Sequence, residues 1–120
     1  NAYLFDSLGS MRYLSLMKTA DIVVGNSSSG IIEAPTVRTP TVNIGERQSG
    51  RVRAKSIIDC SYEKQSICRA ITKALSKDFV DSFNAFNNPY GEGGTVEKII
   101  DILSSVDLSS LTTKKFYDWQ

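Results

Sequence analysis

Two short polar segments hold side chains suited to gripping an anion. Asn26-Ser27-Ser28-Ser29-Gly30 places three consecutive hydroxyls and a glycine directly after the apolar run Ile22-Val23-Val24. Hydroxyls donate to phosphate oxygens, glycine lets backbone come close, and a helix starting there offers unpaired N–H groups. The dipole of such a helix would add about 0.3–2 kcal/mol for an anion. The second segment, Glu46 to Arg51, carries Arg47, which can give the same ligand a charge-assisted hydrogen bond. Glu33 follows one turn later. A carboxylate there is a poor neighbour for phosphate but a good acceptor from two vicinal ribose hydroxyls, so the spacing suggests a nucleotide. A plainer reading of the motif stays open, in which Ser27 caps the helix, Glu33 complements its dipole and Arg47 is a solvated loop charge.

Other chemistries fail on residue type. Gly25-Asn26-Ser27-Ser28-Ser29 has the start of a nucleophile elbow but lacks its second glycine, and the chain has no histidine to act as base. A phosphate-binding loop of the Walker type needs a lysine after its glycine spacer, and none occurs between Lys18 and Lys55. Cys60 and Cys68 make neither a disulfide framework nor the paired spacing of a zinc site. No cofactor or metal is expected, and no residue of this chain is assigned as general acid or base.

The elements that must hold these residues alternate between strand and helix. Tyr3-Leu4-Phe5 reads as a short buried strand, Asp6-Ser7-Leu8-Gly9 as a turn, and the following segment as a helix capped by Ser10 and ending near Ala20. Asp21-Ile22-Val23-Val24-Gly25 reads as a fully buried strand, Pro40-Thr41-Val42-Asn43-Ile44 as another, and Ser56-Ile57-Ile58-Asp59-Cys60 as a third. Ile67, Ala70, Ile71, Ala74 and Leu75 form one helical stripe, and Val96, Ile99, Ile100, Leu103 and Val106 form a second, after the turn Asn87-Asn88-Pro89-Tyr90-Gly91. Both helices are expected to pack on the sheet. The predicted class is α/β, a Rossmann-like parallel sheet with flanking helices. In such a sheet ligands sit beyond the carboxyl ends of strands, where the loops after Gly25 and Gly45 would share one crevice.

Composition fits one folded domain over residues 1–120, with 41% hydrophobic and 22% charged residues. A net charge of +1 gives no field for nucleic acid or anionic membrane, so neither is expected as a partner. Apolar runs fall far short of the roughly 20 residues that cross a bilayer, and unpaired cysteines suit a reducing compartment, so a cytoplasmic location is expected. The chain opens on Asn, almost inside an apolar run, and is expected to be excised from a longer protein.

Taken together, Val24 through Pro35 and Thr39 through Arg51 resemble the hydrolysing UDP-N-acetylglucosamine 2-epimerases. The resemblance extends upstream through Asp6-Ser7-Leu8-Gly9 and Arg12 to Leu16, and downstream through Asn88-Pro89-Tyr90-Gly91-Glu92-Gly93 and Lys114-Lys115-Phe116. Glu92 stands where the family pattern has aspartate. The resemblance implies a GT-B arrangement of two Rossmann-like domains, with this chain in the C-terminal one and residues 108–120 crossing toward a missing N-terminal domain.

It also implies a reaction: anti elimination of UDP across C1 and C2 to a 2-acetamidoglucal, then addition of water to give N-acetylmannosamine, a precursor of sialic-acid-type sugars. By the same resemblance Ser27 and Ser28 contact the diphosphate, Ser29 and Gly30 supply backbone N–H groups, Glu33 holds the ribose and Arg47 the nucleotide. Ser7 falls near the uracil and phosphates. The acids and bases are expected from the missing domain, and the full-length protein is expected to be a homo-oligomer. Two alternatives are a GT-B glycosyltransferase donor-binding domain, which uses the same donor contacts, and a non-catalytic sugar-nucleotide-binding regulatory module.

Overall fold

The computed structural model describes residues 1–83, 88–91 and 93–107. Asn87, Glu92 and the stretch 108–120, with Lys114, Lys115 and Phe116, lie outside the described residues.

Among the described residues, eight elements follow in chain order: α1 (Gly9–Thr19), β1 (Val23–Gly25), α2 (Ser29–Ile32), β2 (Thr41–Ile44), β3 (Ile57–Cys60), α3 (Lys64–Ala74), α4 (Lys77–Phe83) and α5 (Thr95–Ser105). The strands form one parallel sheet in the order β1-β2-β3. Val23 pairs with Thr41 and Gly25 with Asn43, while Thr41 pairs with Ile57 and Ile44 with Cys60. The class is therefore α/β, consistent with the Rossmann-like expectation.

Alternation along β2 divides the core. Val42 is fully buried with Ala70 and Ala74 of α3, and Ile22, Ile44, Ile58, Cys60 and Ile71 close around them. Thr41 and Asn43 are also buried but, one residue out of phase with Val42, face the other side of the sheet. That is the side of α2, whose Gly30 backs directly onto Thr41. The end of α1 is fixed by Thr39, whose hydroxyl donates to the Met17 carbonyl at 2.8 Å.

Several expectations need correction. Tyr3-Leu4-Phe5 is not a strand, and Leu4 is 94% exposed, because no strand of the described sheet runs beside it. Ser10 does not cap α1. The helix begins at Gly9, Leu8 holds the cap position without a side-chain bond, and the nearby hydroxyl contact is Ser7 Oγ accepting from the Gly9 N–H at 3.4 Å. Strand β1 is not fully buried. Val24 is 44% exposed because it shares a face with Val42 but sits on the edge strand, while α3 packs on β2 and β3.

Leu75 is half exposed in the C-cap position of α3 and leaves the stripe early. Helix α4 was not expected; its Phe79 and Phe83 meet edge to face at 5.3 Å, with Phe83 buried. Helix α5 forms with the expected periodicity but buries none of its residues. It does not pack on the sheet as expected. Among the described residues no helix is long and apolar enough to cross a membrane.

Candidate functional site

Because Gly25 and Asn43 are in register, the loops leaving β1 and β2 start side by side at the same edge of the sheet. Gln48 then ties them together: its Nε2 donates to the Asn26 carbonyl at 2.8 Å, and its side chain is only 4% exposed. The two loops are thus joined by a buried amide, but they line separate clefts: the serine loop one with Tyr13 and Thr41, and Glu46 and Ser49 another with Arg53 and Asp59. Arg47, beside Gln48, is exposed, and so is Glu46, whose N–H points to the Tyr62 hydroxyl at 3.4 Å.

The serine segment lines a cleft of about 270 Å³ formed with Tyr13, Val23 to Asn26 and Thr41. Ser27 is exposed, Ser29 half-buried and Gly30 buried. Ser29 links the group: its hydroxyl donates to Ser27 Oγ at 3.2 Å and stands 2.6 Å from the Tyr13 hydroxyl. Its N–H also reaches Ser27 Oγ at 3.4 Å, while the Gly30 N–H goes to the Ser27 carbonyl at 3.2 Å. Ser28 is exposed outside that lining, in the cap position of α2, and its carbonyl accepts from Ile31 and Ile32. At Gly30 a Cβ would lie 2.9 Å from Thr41 Cγ2, so the close approach of loop to strand requires glycine.

Helix α2 is four residues long. Its summed peptide dipole is correspondingly small, so hydroxyls and the arginine must carry more of any anion binding than the sequence implied. Glu33 is exposed at the C-cap of α2 and lines a different cleft, of about 240 Å³, with Leu14, Thr36, Asn88, Tyr90 and Gly91. Asn88 closes that wall, its Nδ2 donating to the Ile32 carbonyl at 3.0 Å and to Thr36 Oγ1 at 2.7 Å. Ser7 is exposed in a third cleft, which shares Tyr13 with the serine cleft.

Between the paired strands β2 and β3, Asn43 Nδ2 donates to Asp59 Oδ1 at 2.6 Å, and Arg53 pairs with the same carboxylate at 3.1 Å. Burial first, then the Asp59 carboxylate, raise the neighbouring Cys60 thiol above its ordinary pKa.

Sequence reasoning missed Tyr13, Gln48 and Thr41 as parts of the site. Tyr13 entered the sequence reading only within the segment Arg12 to Leu16, with no site role. Thr41 and Gln48 are buried with a side-chain oxygen, Oγ1 and Oε1, that has no hydrogen-bond partner among the described residues.

The UDP-N-acetylglucosamine 2-epimerase family model matches residues 1–104, the span that includes every loop just described. The chain belongs to the UDP-N-acetylglucosamine 2-epimerase family. Among its relatives is a GDP/UDP-N,N'-diacetylbacillosamine 2-epimerase (hydrolyzing) of Campylobacter jejuni, 48% identical over 98% of this chain and 30% of that protein. A polysialic acid biosynthesis protein of Escherichia coli is 37% identical over 93% of this chain and 29% of its own length. The UDP-N-acetylglucosamine 2-epimerase of Neisseria meningitidis is 34% identical over 92% and 29%. The chain therefore spans less than a third of the length of each of these relatives.

Proposed function

We propose that this chain is the UDP-binding part of a hydrolysing 2-epimerase that releases UDP from a UDP-linked 2-acetamido sugar. The observation that supports the reading is the Gln48–Asn26 bond, which ties the serine loop to the loop carrying Arg47 at the carboxyl ends of two parallel strands, where such sheets bind ligands.

In this reading Ser27 and Ser28 donate to the diphosphate, with Ser29 and Gly30 beside it, and Arg47 approaches from the facing loop. Ser7 borders the nucleotide across Tyr13. Glu33 takes the ribose hydroxyls at the far end of α2. The rest of the protein supplies a second Rossmann-like domain in a GT-B arrangement, together with the acid and base groups. As the C1–O bond breaks and the C2 proton leaves, negative charge grows on the departing UDP. Donors already aimed at that charge lower the barrier by a few kcal/mol. Water then adds to the 2-acetamidoglucal, giving N-acetylmannosamine when the substrate is UDP-N-acetylglucosamine.

The test is calorimetry of UDP with the intact protein, paired with an assay of UDP release without any sugar acceptor. We expect binding, acceptor-independent release, and a loss of roughly 10- to 100-fold in affinity for Arg47→Ala. Release only when an acceptor is added would identify a glycosyltransferase, and binding without release a sensor.

A second substrate reading is favoured by one comparison. The Campylobacter jejuni relative, named for a diacetamido sugar, is more similar to this chain than the Neisseria meningitidis protein named for UDP-N-acetylglucosamine. Competition between the two UDP-sugars decides between them by kcat/KM.

A further inference from the structure

We infer that Tyr13 is a positioning residue for the leaving diphosphate, acting through Ser29 to aim the hydroxyl of Ser27 into the cleft. The inference rests on the UDP-binding reading above and deepens it.

A serine hydroxyl has one hydrogen to give and two lone pairs to receive. Ser29 spends its hydrogen on Ser27 Oγ at 3.2 Å. The 2.6 Å contact between Ser29 Oγ and the Tyr13 hydroxyl must then run from tyrosine to serine. A directed chain follows, Tyr13 to Ser29 to Ser27. At its end Ser27 Oγ also receives the Ser29 N–H at 3.4 Å, so both acceptor positions are engaged. Its own hydrogen has no partner among the described residues and is left for a ligand. Each bond in such a chain polarises the next, which makes the terminal hydroxyl a better donor to an oxyanion.

Two further observations point the chain at a ligand. Tyr13, Ser27 and Ser29 all border the same 270 Å³ cleft, so the chain ends on the wall of that cleft. Thr41, 2% exposed, borders that cleft too, and its Oγ1 has no hydrogen-bond partner among the described residues. Tyr13 comes from α1 and the serines from the loop after β1. The contact therefore fixes the loop to a separate element, and it does so by a hydroxyl that phenylalanine would lack.

The experiment compares intact wild-type protein with Tyr13→Phe, Ser29→Ala and the double variant, measuring UDP affinity by calorimetry and melting temperature without ligand. Tyr13→Phe should weaken UDP binding roughly 3- to 10-fold and leave the ligand-free melting temperature unchanged. The double variant should bind no more weakly than Ser29→Ala alone, because one break in the chain already releases Ser27. Equal UDP affinity of wild type and Tyr13→Phe overturns the inference, as do additive losses in the double variant. A loss that is matched by a fall in melting temperature overturns it too, since that assigns Tyr13 a packing role. If wild-type protein does not bind UDP at all, the functional reading itself fails, and that result is distinct from the others.

Discussion

Gln48 and Asn26, 22 residues apart, are joined by an amide-to-carbonyl hydrogen bond of 2.8 Å that bridges the loops after β2 and β1. The bond is part-buried and the glutamine nearly inaccessible, so nothing in solvent replaces it readily. One side chain thus ties the two loops together.

Gln48→Ala should destabilise the fold by about 1–3 kcal/mol, through the lost bond and the small cavity left behind. Gln48→Glu should be worse at neutral pH, because a carboxylate would face the Asn26 carbonyl without a hydrogen to give. Urea unfolding of the two variants checks the order.

Gly45 is held at φ 75°, and a Cβ added there would run into the Tyr62 ring. Gly45→Ala should therefore cost more than the ~1–2 kcal/mol of a left-handed backbone alone. Adding Tyr62→Ala should recover the steric part and leave the backbone part, read as a partial return of the unfolding midpoint.

Gly30→Ala should act differently, since only the Thr41 Cγ2 methyl stands in the way. Thr41→Ser removes that methyl, and the double variant should recover UDP affinity relative to Gly30→Ala. Calorimetry on the three proteins tests this.

Cys60 holds its proton more tightly in the folded chain than the ordinary value of 9.0, for reasons of burial and then Asp59. Folding therefore gains full benefit from this group below that pH, and the benefit is lost as pH rises through the higher folded value. The slope of stability against pH above 9 should flatten in Cys60→Ala. In the wild type, exposed Cys68 should be alkylated before Cys60 at pH 8, as peptide mapping would show.

Much of this was legible in the residues. The apolar runs at Val23, Val42 and Ile57 each became strands, and the α3 stripe through Ala70 and Ala74 met the sheet, because burial on that scale leaves a periodic imprint. Tyr3-Leu4-Phe5 misled because composition reports the wish to be buried and not the presence of a partner strand. Glu33 was read by helical spacing from the serines, but α2 ends after one turn and the carboxylate faces another cleft. Tyr13 and Gln48 were illegible as site residues because each acts through one long-range hydrogen bond, to Ser29 and to Asn26, which leaves no local pattern.

Asn88 bonds to the Ile32 carbonyl and to Thr36 across separations of 56 and 52 residues. Closing so large a loop is entropically slow beside the short-range pairing of β1 with β2. Pulse-labelling during refolding should thus find the strand amides protected first and the wall next to Glu33 last, giving the serine cleft and the Glu33 cleft different birthdays in the same molecule.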